Sequence, residues 1–203
     1  MNRQARSCIV IGIVAALAFS PLPALAQTTS TFSGEAVALQ ASAAGISLVL
    51  SDTGPLPATG GNLQTSVASV NLLGLVSAKV LSSSTSGSGN SSQSESAAAN
   101  VNLLGGLVAA DLVKSNSSAT CSSGQAATSG NSELVGLVVA GQPVVTVNPN
   151  LAISLPGGLS VIVNEQTSSS GGNSGSMTVN ALHVTGPAVD IVVASARSGM
   201  VCS

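Results

Sequence analysis

Short runs of Val, Leu, Ile and Ala alternate along this chain with tracts of Ser, Thr, Asn and Gly. No long segment combines helix-forming residues with the periodicity of an amphipathic helix, whereas apolar runs bounded by turn residues are typical of strands. Charged residues make up only 6% of the chain, against about 25% in ordinary proteins. A coiled coil is therefore excluded, and the sequence predicts an all-β fold.

Candidate strands lie in apolar segments at residues 35–50, 66–81, 97–113, 134–147, 160–164, 177–184 and 189–196. Gly141-Gln142-Pro143 indicates a turn within the fourth segment. The Ser/Gly/Asn tracts at 82–96, 115–132 and 167–176 fit either flexible linkers or polar strand ends with long turns. We expect a mixture of the two, with the middle of each tract mobile.

Two segments, 70–82 and 101–114, share Val-Asn-Leu-Leu-Gly followed by a second apolar run, so each predicts a hairpin with a tight glycine turn. Period-two alternation would place three residues of each second arm on one face. They are Val76, Ala78 and Val80 in the first copy and Val108, Ala110 and Leu112 in the second. Lys79 and Asp111 would face the other way and could pair if the arms are neighbours.

A weaker third copy begins at Val179, so the copies start 31 and then 78 residues apart. A solenoid needs a constant period over at least three repeats. We therefore predict a single β-sandwich-like domain built from repeated hairpins, with a β-solenoid as the alternative.

Residues 1–26 have the parts of a secretory signal peptide. Arg3 and Arg6 form a positive start, residues 8–19 form a 12-residue apolar run, and Ala24-Leu25-Ala26 fits cleavage before Gln27. An uncleaved anchor is the alternative, although the run is too short to span a bilayer. The sequence thus predicts one exported all-β domain at 27–203, secreted or held in the periplasm or at the cell surface, with no transmembrane segment after cleavage.

Cleavage removes Cys8 and leaves Cys121 and Cys202, and an even pair in an exported chain predicts one disulfide. The bond would close a loop of about 80 residues and stabilise the fold by about 4 kcal/mol in the chain-entropy model. Two free thiols or an intermolecular bond are the alternatives. Two thiols and the distant His183 fall short of a four-ligand metal site. Scattered Asp, Glu and Asn residues could ligate calcium, yet there is no Asp-x-Asp-x-Asp run, so we predict no metal and no other cofactor.

Asp52, Glu165 and His183 form a weak candidate polar site. Asp52 begins Asp-Thr-Gly after an apolar run, as in aspartic proteases, but an Asx turn is the simpler interpretation. His183 and Asp190 could belong to a Ser-His-Asp triad, yet no Gly-x-Ser-x-Gly elbow singles out a serine. Glu165 and Asp190 could act as glycosidase carboxylates, but Phe32 is the only aromatic residue after cleavage. We therefore predict no catalytic residues.

The exported segment carries three basic and seven acidic residues, a net charge of −4 without clusters. It lacks the basic patch and the stacking aromatic residues that bind nucleic acids. These features exclude nucleic acid as a partner and identify no other.

Several stretches, taken in order, resemble the bacterial surface family named choice-of-anchor P. They are Phe32-Ser33-Gly34-Glu35-Ala36, Ser51-Asp52-Thr53-Gly54-Pro55-Leu56-Pro57 with Gly60-Gly61, the two Val-Asn-Leu-Leu hairpins, Leu155-Pro156-Gly157-Gly158, Asn164-Glu165-Gln166, Ala181-Leu182-His183 and Cys202. The resemblance covers nearly all of 27–203. It implies an exported domain whose relatives carry differing C-terminal surface anchors, with no known activity. The chain shows no sorting motif after Met200, so we expect free release.

The chain has few side chains suited to catalysis and many strand and turn signals. The leading hypothesis is a secreted, non-enzymatic bacterial protein with a structural or adhesive role at the cell surface or in the matrix. One alternative is an extracellular ligand-binding module with a loop cleft near Asp52, Glu165 or His183. The other alternative is a secreted hydrolase.

Overall fold

The computed structural model describes residues 30–43, 45–72, 74–145 and 148–203. The proposed signal peptide, residues 1–26, lies outside these ranges. The described residues form thirteen strands and two short 3₁₀ turns, which confirms the all-β class. The strands are β1 (Thr31–Ala43), β2 (Ile46–Asp52), β3 (Gly61–Leu72), β4 (Val76–Ser88), β5 (Ser91–Leu103), β6 (Val108–Ser122), β7 (Gln125–Val135), β8 (Val138–Val139), β9 (Gln142–Pro143), β10 (Leu151–Leu155), β11 (Leu159–Gly171), β12 (Ser174–Gly186) and β13 (Val189–Val201).

Two antiparallel sheets pack face to face. Sheet A has the strand order β10-β11-β12-β13-β1-β2. Sheet B has the order β3-β4-β5-β6, after which β7 and the short β8–β9 hairpin pair with different parts of β6. This layered arrangement of hairpins is the predicted β-sandwich rather than the β-solenoid.

Both repeated segments form the predicted hairpins. The β3–β4 turn contains Gly74 at φ +71° and the β5–β6 turn contains Gly105 at φ +66°. Glycine adopts this left-handed conformation without a steric penalty, so the Leu-Leu-Gly pattern suits a tight reversal. The turn predicted at Gly141 likewise joins β8 to β9.

The Ser/Gly/Asn tracts are strands through most of their length, which corrects the expectation of long turns with mobile middles. The tract at 82–96 comprises the end of β4, a two-residue turn at Gly89 and Asn90, and the start of β5. The other two tracts fall in the same way on the β6–β7 and β11–β12 hairpins. Small side chains that alternate between the two faces of a strand allow this continuous pairing.

The predicted alternation along β4 holds as far as Ala78 and then fails. Val80 adopts φ +52° and is 66% exposed, while the next residue, Leu81, is fully buried. The β4–β5 register shifts on both sides of Lys79, so a bulge adds one residue and exchanges the two faces. The same exchange in β6 buries Val113 in place of Leu112.

The proposed contact between Lys79 and Asp111 does not form. Strand β5 lies between β4 and β6 in sheet B, and Lys79 stands opposite Ala99. Lys114 instead pairs with Glu95, with 3.0 Å between Nζ and Oε1.

Sheet A also contains positions where the alternation of faces breaks, but there two consecutive residues face the interior instead of solvent. Ala194 lies at φ +55° in β13, and in β12 the consecutive residues Ala181 and Leu182 are both buried. In sheet B the consecutive residues Lys79 and Val80 both face solvent. Bulges exchange the faces of a strand and increase its local twist; the consecutive residues face the interior in sheet A and solvent in sheet B.

The interior of the sandwich changes character along the strands. One half is an aliphatic cluster whose largest fully buried members include Leu39, Leu81, Leu103, Leu182 and Ile191. The other half is lined by hydroxyl side chains that are at most 5% exposed. These are Ser83, Thr85, Ser92, Ser94, Ser96, Ser115, Ser117 and Ser198.

Hydrogen bonds join these hydroxyls across the two sheets. Ser117 Oγ donates to Ser198 Oγ at 3.0 Å, and Ser94 Oγ donates to the Arg197 carbonyl at 2.6 Å. The Ser198 hydroxyl also lies 3.2 Å from Ser94 Oγ. Seven of the eight hydroxyls have a hydrogen-bond partner, which makes their burial tolerable, whereas Ser115 Oγ has none among the described residues. A methyl group added at Gly34 would overlap the Thr85 hydroxyl.

The Cys121–Cys202 disulfide lies at the end of the sandwich beyond the hydroxyl-lined half of the interior. Cys121 lies near the end of β6 in sheet B and Cys202 directly follows β13 in sheet A, with 5.6 Å between their Cα atoms. Both are nearly buried, in a small cluster with Phe32 and Met200. The predicted pairing therefore ties the two sheets together where aliphatic packing is sparse.

Candidate functional site

Glu165, His183 and Asp190 meet on the outer face of sheet A, where they project from the neighbouring strands β11, β12 and β13. His183 Nδ1 lies 3.0 Å from Glu165 Oε2. His183 Nε2 lies 3.5 Å from Asp190 Oδ1, which is ion-pair distance without hydrogen-bond geometry. The structure thus joins two residues of the predicted polar site and adds Asp190.

Two further polar residues continue this cluster across the sheet. Asn180 Nδ2 donates to Glu165 Oε2 at 2.7 Å, and Ser195 Oγ donates to Asn180 Oδ1 at 2.7 Å. Asn180 stands opposite Glu165 on β11 and opposite Ser195 on β13. Cross-strand register therefore brings together a row of hydrogen-bonded side chains, Ser195–Asn180–Glu165–His183. The spacing of these residues in the sequence does not reveal it.

Asp52 lies apart from this cluster, at the end of β2. It occupies the same cross-strand row as Glu165, but four strand spacings of about 4.8 Å separate them, or about 19 Å. Its Oδ1 accepts a hydrogen bond from the Gly54 amide at 2.7 Å. This geometry is the Asx turn favoured from the sequence.

The cluster is poorly arranged for the chemistries considered from the sequence. The Ser195 hydroxyl donates to Asn180 rather than to His183, which is not the serine–histidine contact of a catalytic triad. Glu165 and Asp190 lie against opposite ring nitrogens of His183, so the imidazole fills the space that a glycosidic bond would need.

Metal binding has no support within the described ranges, where no group of three or more His, Cys, Asp or Glu residues is placed to hold an ion. Glu165 and Asp190 cannot converge on one ion together with His183, because they approach the ring from opposite ends.

A shallow depression of about 390 Å³ borders Asp190 near the β12–β13 turn. Ser42, Thr185 and Pro187 are among its lining residues. Glu165 and His183 do not line it, so the polar cluster and this depression are separate features.

A second surface, which the sequence interpretation missed, covers the outer face of sheet B. Three cross-strand rows of five residues run over β3 to β7, and most members carry hydroxyl or amide groups. We call this surface the hydroxyl–amide face: Asn62, Ser86, Gln93, Ser118 and Ser129; Gln64, Ser84, Glu95, Asn116 and Asn131; Ser66, Ser82, Ala97, Lys114 and Glu133. Strand geometry spaces them about 4.8 Å across strands and about 6.8 Å along them.

The hydroxyl–amide face carries little net charge. Its charged members are Glu95, Lys114 and Glu133, and the first two form a salt bridge. A groove of about 300 Å³ crosses one side of it, lined by residues that include Gln64 and Ser84. Residues 82–86 are Ser or Thr at every position, so the sequence marks this tract as polar, and only strand pairing shows which of its side chains form the outer face.

Comparison with known proteins gives no match to a protein-family model, to a curated protein or to a solved structure. Within the described ranges, no helix has the length and hydropathy needed to cross a bilayer.

Proposed function

We propose that this protein is an exported, non-enzymatic structural or adhesive component of the cell surface or extracellular matrix. The observation that carries the proposal is the hydroxyl–amide face, a broad sheet surface of small neutral hydrogen-bonding side chains. Its chemistry suits a neutral, hydroxyl-rich polymer, because such a partner offers many donors and acceptors but no charge.

The near neutrality of this face supports the proposal. Three of these fifteen positions are charged, and their two glutamates and one lysine sum to a net charge of −1. Charged side chains hold water strongly and would have to be desolvated on contact with a neutral polymer. Ser, Asn and Gln exchange water for polymer hydroxyls at a smaller cost, so many weak contacts can add up to adhesion.

Export is supported by the cysteine pairing. Disulfides persist in oxidising compartments outside the cytosol, and Cys121 and Cys202 are bonded in the structure. The signal-like residues 1–26 and the resemblance to choice-of-anchor P proteins agree with this location.

A hydrolase receives less support from the same structure. Glu165 Oε2 lies within hydrogen-bond distance of both Asn180 Nδ2 and His183 Nδ1, and Ser195 donates to Asn180, so the one serine of the cluster is engaged away from the imidazole. A ligand-binding site that combines these residues with Asp52 is disfavoured by the distance between them.

Binding of the exported, disulfide-bonded protein to insoluble cellulose, a neutral polysaccharide, tests the proposal. Gln93→Glu adds a charge to the hydroxyl–amide face at constant size, and Gln40→Glu makes the matched change on the exposed outer face of β1. We expect Gln93→Glu to weaken binding about fivefold, equivalent to about one hydrogen bond, with no change for Gln40→Glu. Equal binding by both variants, or none by the parent, would contradict the proposal.

Catalysis is tested separately with general esterase, peptidase and glycosidase substrates. Turnover by the parent that disappears in His183→Ala, while the fold is retained by circular dichroism, would replace the structural role with an enzymatic one.

A further inference from the structure

The free edges of the two sheets differ in how far they are protected against pairing with another strand. Natural sheets protect edges by short strands, charges, prolines or bulges. At one edge of sheet A, β10 has only five residues. At the other, β2 is short, ends at Asp52, and is followed by a segment containing Pro55 and Pro57.

The segment that contains Pro55 and Pro57 follows β2 along the edge of sheet A and covers the adjoining part of β1. The Thr53 amide donates to the Ala36 carbonyl at 3.0 Å, and the Leu56 amide donates to the Gly34 carbonyl at 2.7 Å. Proline has no amide hydrogen to offer a further strand, so this part of the edge is a poor template. On the β6 side of sheet B the edge strands are β7 and β9. The first is protected by the charge of Glu133, and the second is only two residues long and includes Pro143.

Strand β3 has none of these protective residues. It pairs with β4 alone, runs for 12 residues (GNLQTSVASVNL), and contains neither a charge nor a proline. None of its residues is buried. Val67 and Val70 pack against the aliphatic cluster yet stay only half-buried, so two apolar side chains of this edge remain partly accessible.

We propose that β3 pairs antiparallel with β3 of a second copy of this chain, about a two-fold axis at Thr65. This register sets Leu63 opposite Val67 of the second copy on the inner face, and Gln64 opposite Ser66 on the outer face. Like therefore meets like on both faces, as favourable cross-strand pairs require. The inference does not depend on the proposed function.

A second copy fits this edge for two further reasons. The strand is uncharged, so two copies do not repel each other. A two-fold contact uses the same edge on both partners and therefore closes, with residues 61–69 of each β3 paired to the other copy. Ser51 Oγ already donates to the Thr65 carbonyl at 3.1 Å, but a carbonyl oxygen has two lone pairs and can also accept an amide from the second copy.

Sedimentation of the exported, disulfide-bonded protein over a wide concentration range tests the proposal. The parent is expected to sediment at twice the monomer mass at high concentration. Gln64→Lys/Ser66→Lys sets lysine opposite lysine twice and should raise the dimer dissociation constant about tenfold. Gln64→Lys/Ser66→Glu sets lysine opposite glutamate twice and should dimerise at least as well as the parent.

The matched control, Ser129→Lys/Asn131→Lys, adds two lysines to the outer face of β7 at the other edge of sheet B, and should dimerise as the parent does. Circular dichroism verifies that every variant is folded. A monomeric parent would overturn the proposal, as would equal dimerisation of the two β3 variants or a control that loses dimerisation. No polysaccharide is present, so failure here is distinguishable from failure of the proposed adhesive role.

Discussion

Replacing both Cys121 and Cys202 with alanine should lower the free energy of unfolding by about 4.5 kcal/mol. The two residues are 81 positions apart, and the chain-entropy model gives about this value for a loop of that length. Because 1 kcal/mol corresponds to about 2–4 °C in a domain of this size, the melting temperature should fall by roughly 9–18 °C.

The structure also indicates where the loss should be felt first. The disulfide lies beyond the hydroxyl-lined interior and is packed against Phe32 and Met200 rather than the main aliphatic cluster. Without the bond, the ends of β6 and β13 are held across the sandwich by the small apolar cluster and by hydroxyl hydrogen bonds, each worth about 1 kcal/mol net. We therefore expect local opening at this end before global unfolding.

Urea denaturation measures the global effect, and amide hydrogen exchange measures the local one. Relative to the parent, the double alanine variant should show a larger increase in amide exchange rate at Ala119 and Met200 than at Leu103 and Ile191. The last two residues lie in the aliphatic cluster. A loss of stability below about 1 kcal/mol, or uniform acceleration across both halves, would refute the reasoning. Ser118→Ala, a half-buried change on the outer face of β6, serves as the control.

The remaining predictions concern single side chains. Ser198→Ala should cost about 1–3 kcal/mol in urea denaturation, because the buried Ser117 hydroxyl loses its acceptor; unchanged stability would contradict the network. Gly34→Ala should cost about 1–3 kcal/mol by overpacking the interior. Gly171→Ala, whose added methyl group meets no close neighbour, is the control, and its melting temperature should fall less than that of Gly34→Ala. Asp52→Ala should cost about 1 kcal/mol by removing the turn hydrogen bond, and a much larger loss would show that its role extends beyond the turn.

The candidate site was only partly predictable, because its geometry depends on strand order. Glu165 and His183 are 18 residues apart and meet through the β11–β12 register. Asp52 resembled them in chemistry, but three strands stand between β2 and β11 in sheet A. Residue type shows which side chains could form a site, whereas strand order determines which of them meet.

Local residue patterns were sufficient for the all-β class, the glycine turns at Gly74 and Gly105, and the pairing of Cys121 with Cys202. A hairpin depends on neighbouring residues, and the two cysteines of residues 27–203 have one intramolecular pairing. The tertiary structure decided the rest: the bulge at Val80 that exchanges the faces of β4, the burial of serines such as Ser198, and the exposed edge at β3. These features arise from contacts between strands distant in sequence: the Ser198 hydroxyl meets Ser94 and Ser117 because β13 packs against β5 and β6 of the facing sheet.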